Sequence, residues 1–235
     1  AKPAHSAASA LWGLAHLRQN RHFGENLRPL GPGFLAEMEA LIRPETYPNT
    51  LVRAVATANT SLPNFSSSSL TTNASGGTSV NGTVTTVNAQ TYNDAVTLLA
   101  DSTLTSSSSG AINLAGAVNG AFALSVNTAG ATTFGGIVGG TTPLTSLTTN
   151  AGGTTAINGG AVTTTGAQTY NDAVTLGAAT TITGVGNTFA STVNGGQTLS
   201  VIDSGTTTFG GAVGGTTALT SLSTNAGGAT AINGG

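Results

Sequence analysis

The residues best suited to chemistry fall into two groups. His5, His16 and His22, with Glu25, are the residue types of a metal centre. Their spacings, eleven and six, put no two histidines four apart on one helix, the arrangement of a zinc-protease helix. Packed or solvated histidines are therefore the expectation. Asp94 and Asp172 are the residue types of an acid/base pair at a glycosidic bond. They occupy matching places in two identical decapeptides, AQTYNDAVTL at 89–98 and 167–176. Set about four rungs apart at ~4.8 Å per rung, they would be far too distant for that work. Turn aspartates are expected instead.

The other motifs are weaker. GGTSVNG (76–82) and VGNTFASTVNGG (185–196) are glycine-rich, yet lack the lysine of a phosphate loop and the Gly/Asp pattern of a calcium repeat. They fit corners between strands. Asn59, Asn64, Asn73 and Asn81 each begin an Asn-X-Ser/Thr triplet, the acceptor signal for N-linked sugar, and such triplets also arise by chance in a chain rich in Ser, Thr and Asn. The TTT runs at 163–165 and 206–208 offer hydroxyl ladders on a flat face. The sequence assigns no catalytic, cofactor-binding or metal-ligating residue, and no cofactor is expected.

Charge divides the chain. Only 6% of its 235 residues are charged, against roughly 25% in ordinary soluble domains. The six basic residues, Lys2, Arg18, Arg21, Arg28, Arg43 and Arg53, all lie in the first 53 positions. After Arg53 the only charges are Asp94, Asp101, Asp172 and Asp203. A surface without Lys or Arg cannot neutralise phosphates, which argues against nucleic acid. There is no cysteine, hence no disulfide framework. No apolar run reaches the ~18 residues of a transmembrane helix.

What positions these residues is a repeat. Tyr92 returns as Tyr170, a spacing of 78, and Phe134 as Phe209, a spacing of 75. TTFGG, VGGTT, LTSL and AINGG each recur, and LTTNASGGTSVNG (70–82) parallels LTTNAGGTTAING (147–159). The three-residue difference falls between Leu104 and Val118, where TSSSSG lengthens the first copy. An insertion that leaves both flanks in register belongs in a surface loop.

A finer beat runs inside each copy. Valines at 96, 118, 138 and 162, then 174, 193 and 213, mostly follow a bulky apolar residue by four. Asn and Gly pairs between them form turns, and the flanks alternate β-branched residues. The intervals of 19 and 20 in the second copy suggest rungs of about 19 residues. One such rung cannot bury its apolar face alone, whereas stacked rungs can. The expectation is an all-β solenoid over 61–235, with Tyr92, Phe134, Tyr170, Phe189, Phe209 and the marker valines inward. A string of β-sandwich modules of ~75 residues is the rival. Residues 1–60 predict a helical capping or docking segment. HSAASALWGLAHLRQN (5–20) carries Leu11 and Trp12 on one face, and GPGFLAEMEALIR (31–43) carries Leu35 and Met38.

GGAVTTTGAQTYNDAVTLGAATTITG and TTTFGGAVGGTTALTSLSTNAGGATAINGG resemble the β-strand repeats of filamentous-haemagglutinin-like and autotransporter-like bacterial surface proteins. The resemblance covers about residues 66–235. It implies a right-handed parallel β-helix that is extracellular and acts as adhesin, stalk or fibre, facing a host or surface receptor. Residues 1–60 depart from the secretion domain that opens two-partner-secreted adhesins. The functional expectation is a non-catalytic structural solenoid that self-associates head to tail through residues 1–53. The alternatives are a Thr-rich ice-binding solenoid and a carbohydrate-binding or carbohydrate-processing β-helix.

Overall fold

Alternating β-branched residues make short strands, and glycine or asparagine pairs turn the chain between them. The computed structural model describes Leu51–Ala54 and residues 60–234. The helices expected at 5–20 and 31–43, and with them His5, His16, His22 and Glu25, lie outside the described residues.

The described strands pair in parallel. Together they build a β-solenoid of about nine turns with three short strands per turn, one on each face. Turn four illustrates the course. Ile112–Leu114 lies on face one, Val118–Asn119 on face two and Ala123–Asn127 on face three. The chain then reaches Ala131–Phe134, which pairs with Ile112–Leu114 and opens turn five. In turn two a single strand, Gly77–Thr86, runs round the corner between faces two and three, pairing with both Ala95–Leu98 and Ser102–Ser106 of turn three. The solenoid begins earlier than residue 61, because Leu51–Ala54 pairs with Ser69–Thr72. The sequence separation of partners on adjoining turns runs from 18 (Leu51 to Ser69) to 24 (Val138 to Val162). The inferred rung of about 19 sits at the short end of that range.

Alternation along each strand sends every second side chain inward. Tyr92, Leu114, Phe134, Ile157 and Leu176 stack on face one, while Val96, Val118, Val138, Val162, Ile182 and Val201 stack on face two. On face three Tyr170, Phe189 and Phe209 stack with ring centroids 5.1 Å apart and planes 9° and 5° from parallel. All these residues are buried. Val213, in turn nine, is only partly covered. The three-residue insertion is a surface loop, as expected: Ser107, Ser108 and Ser109 are exposed, and Ser109 adopts a φ of 60°.

The two identical decapeptides do not stack on one another. Tyr92 closes face one of turn three, whereas Tyr170 closes face three of turn six. Phe134 and Phe209 are related the same way, as are Ile157 and Ile232. The sequence repeat therefore spans eleven faces, three and two-thirds turns rather than the four inferred from rungs of 19. Each copy enters the solenoid one face back from its predecessor. The section tolerates this because a valine or aromatic fills an inward position equally well on any face.

Corners pack more tightly than faces. A Cβ added to Gly136 would sit 2.4 Å from the Gly116 carbonyl carbon, and one added to Gly159 would meet Gly136 in turn. No rotamer relieves a clash with backbone. Gly136→Ala is expected to destabilise by about 1–3 kcal/mol through overpacking, read from the urea unfolding midpoint. An unchanged midpoint would mean the turns are not stacked this closely.

Candidate functional site

The aspartates that looked like candidate acids lie inside the corners. Asp94 is 4% exposed, and its carboxylate accepts hydrogen bonds from the hydroxyls of Thr72 and Thr78, both at 2.8 Å. Asp172 is equally buried and accepts from Thr149 at 3.0 Å and Thr155 at 2.8 Å. These threonine pairs are repeat equivalents, from LTTNASGGT and LTTNAGGTT. The same network is thus rebuilt at two different corners, face one to two at Asp94 and face three to one at Asp172. In the third copy, where no aspartate follows within the chain, the equivalent Thr230 hydroxyl donates to Thr224 at 3.1 Å. Burial pushes the Asp172 carboxyl above the ordinary carboxylate range, against the pull of Thr155, Thr149 and its own backbone N–H.

Asp203 is buried differently. Its two oxygens accept from the backbone N–H groups of Gly186, Gly205 and Asn187 and from the Thr207 hydroxyl, at 2.7–2.9 Å. Burial raises this carboxyl, but the four donors outweigh it and hold it below the ordinary range. Asp101 is exposed and caps the backbone N–H of Ala123 at 2.9 Å. No two of the four carboxylates share a hydrogen-bond partner, and among the described residues no group of three or more His, Asp or Glu could hold a metal ion.

Two residues that sequence reasoning passed over complete the interior. Gln90 and Gln168 are fully buried, and each accepts from the tyrosine two positions on, Tyr92 at 2.8 Å and Tyr170 at 2.7 Å. Their amides donate to carbonyls of the same turn or the next, Thr105 and Thr183 both at 2.8 Å. The signal was QTY itself, because i and i+2 share the inward side of a strand. Burial pushes both phenols upward from their ordinary value.

The TTT runs behave unlike the expected ladders. Each turns its middle residue inward: Thr164 donates to the Gly166 carbonyl, and Thr207 to Asp203. The hydroxyl row on the outside comes mostly from other threonines. On face three, Thr83, Thr103, Ser125, Thr148, Thr169, Thr188 and Thr208 occur one per turn, in register. A second column beside it starts with Thr85 and Thr105 and then changes to Asn127. This row is the most regular surface feature of the described residues. It offers donors and acceptors at the rung spacing of ~4.8 Å and no charge. In the glycine-rich segments Gly76, Gly82, Gly186 and Gly195 take positive φ at corners, as expected of corner glycines, while Thr78–Val80, Thr188–Phe189 and Val193–Asn194 between them are strand.

Among the described residues no helix is long and apolar enough to cross a membrane. No family model matches the sequence, no curated protein matches it, and no solved structure matches its fold.

Proposed function

We propose that this chain is a non-catalytic structural protein of the bacterial exterior, a rod segment of an adhesin stalk or matrix filament. The observation that carries this reading is the continuous interior. Each inward position from turn two to turn eight stacks on its neighbours, and the three buried carboxylates are bound by donors of the solenoid itself. Such a molecule spends its chemistry on length and rigidity. Most of its outward positions are Thr, Ser, Asn or Gly, and the exposed apolar side chains Val87, Leu99, Ile137, Val185 and Ile202 come from different turns, so the surface gives little hold to hydrophobic association. The resemblance to bacterial surface repeats points the same way, and it supplies the extracellular location and the surface receptor.

The rod assembles head to tail in this reading, with residues 1–53 as the joint. Leu11, Trp12, Leu35 and Met38 supply apolar contacts, and the basic residues supply polar ones. Electron microscopy of the native material should show filaments or rods. Because Leu51 already pairs into the solenoid, deleting residues 1–48 should abolish end-to-end filaments while leaving the β signal in circular dichroism. Normal polymerisation of the truncated chain would place the joint elsewhere.

A second reading, binding to ice, rests on the seven-member hydroxyl row of face three. It ranks lower on two counts. On face three, side-by-side outward hydroxyls persist over two successive turns only at Thr83/Thr85 and Thr103/Thr105. The repeat also moves each motif to a new face in the next copy, so no face inherits a fixed array. Thermal hysteresis at micromolar protein would favour ice binding over the structural reading.

A further inference from the structure

We propose that Asn81 is a site of N-linked glycosylation, an assignment independent of the structural reading above. Four Asn-X-Ser/Thr triplets begin between residues 59 and 81, whereas none of the twelve asparagines after Thr83 begins one. The repeat makes this contrast specific. Asn73 and Asn81 keep their asparagine in the later copies, as Asn150 with Asn225 and Asn158 with Asn233. The hydroxyl residue two places on does not persist: Ser75 is replaced by Gly152 and Gly227, and Thr83 by Gly160 and Gly235. The asparagine belongs to the fold, and the acceptor signal belongs to the first copy alone.

The structure separates the candidates. Asn64 uses its side-chain oxygen to accept from the backbone N–H of Thr83 at 2.9 Å. Asn73 donates its amide to the Ser75 hydroxyl at 3.0 Å and is half-buried. Asn59 lies outside the described residues. Asn81 is exposed, and so is the Thr83 hydroxyl residue that completes its triplet. It stands at a bulge, where the register with turn one shifts between Pro63 and Phe65 and Gly82 adopts a φ of 110°. A bulge bends its strand and re-aims the side chains there, and at this one Asn81 and Thr83 are both exposed.

The chemistry is a glycosyl transfer. The side-chain nitrogen of Asn81 attacks the anomeric carbon of a sugar activated as a phosphate ester. The carbon–oxygen bond to phosphate breaks, the phosphate leaves with the electron pair, and the nitrogen loses one proton. The transferase reads the Thr83 hydroxyl as its recognition element.

The test uses the full chain purified from the cells that make it. Trypsin cleaves after Arg53 and an Asp-specific protease before Asp94, which releases residues 54–93 with all four triplets in one peptide. Mass spectrometry with electron-transfer fragmentation should place a sugar on Asn81. The sugar should vanish in Asn81→Gln and Thr83→Ala and persist in Thr83→Ser. Single sugar units would identify a nucleotide-activated donor, and one preassembled block a lipid-linked donor. An unmodified peptide, or a sugar on another asparagine with Asn81 bare, would overturn the proposal.

Discussion

Phe189→Ala is expected to destabilise the solenoid by about 3–5 kcal/mol. Phe189 is fully buried and sits in the middle of the face-three stack, with Tyr170 on one side and Phe209 on the other, each 5.1 Å away. Truncation removes a large buried side chain and both ring–ring contacts, and backbone pairing in the turns above and below prevents the cavity from closing. The loss is measured as a fall in the urea midpoint, with Phe189→Leu losing much less because it keeps most of the volume. In a stacked array the damage stays local at first. Hydrogen exchange in Phe189→Ala should therefore speed up from turn six onward, while turns two to four keep their protection. A loss within about 0.5 kcal/mol would mean that this position faces solvent.

Asp203→Asn should cost roughly 2–4 kcal/mol, whereas Asp172→Asn should cost about 1 kcal/mol or less. The two aspartates differ in how many of their oxygens are spoken for. At Asp203 both oxygens accept, one from Gly186 and Gly205 and the other from Asn187 and Thr207. An amide must set its N–H₂ against one of these pairs: on the Gly186/Gly205 side it faces two backbone donors and loses two bonds, and on the other side it faces the Asn187 N–H and loses that bond, while the Thr207 hydroxyl can turn to accept. At Asp172 one oxygen accepts from both threonines. An asparagine oxygen can do the same, without a buried charge.

The pH dependence has opposite signs at these two sites. Asp203 titrates lower in the folded state than in the unfolded one. Its stabilisation is present above the ordinary carboxylate range and is lost as pH falls through the folded value. Asp172 titrates higher when folded. Its contribution is present below that range and is lost as pH rises through the folded value. Urea midpoints taken across acid pH should lose part of their low-pH decline in Asp203→Asn and part of an opposing trend in Asp172→Asn. Identical profiles for both variants would contradict these assignments.

The inward positions were legible in the sequence because burial on a strand depends on alternation, a local property. Tyr92, Phe134, Tyr170, Phe189 and Phe209 all point inward, as their spacing implied. The phase of the repeat was not legible. Val174, Val193 and Val213 form one ladder on face one, and their intervals of 19 and 20 suggest a rung shorter than the average turn. Val96, Val118, Val138 and Val162 form a different ladder on face two. The step from Val162 to Val174 is therefore a passage between faces, not a shortened rung. Nothing about a valine marks which of three equivalent faces it fills. Corner lengths decide that, and corners tolerate variation.

The buried acids were hidden for a related reason. Asp94 and Asp172 follow asparagine in a turn-forming pair, which suggests an exposed turn. Their burial depends on Thr72, Thr78, Thr149 and Thr155, which are distant in sequence and come close only through stacking.

The most direct test of this architecture places paired spin labels on outward threonines. The chain has no cysteine, so two introduced cysteines are the only attachment points. Thr91 and Thr169 are equivalent in sequence, the middle residues of the two QTY triplets. Thr91 and Thr175 are not equivalent, yet they share a row on face one, four turns apart through Asn113, Thr133 and Ala156. Double electron–electron resonance on Thr91→Cys/Thr175→Cys should give a narrow distance of about 19 Å, four rung spacings. Thr91→Cys/Thr169→Cys should give a distinctly longer distance, because those labels leave different faces. The reverse order, with the equivalent pair at the four-rung distance and Thr91 and Thr175 farther apart, would contradict the three-and-two-thirds-turn repeat.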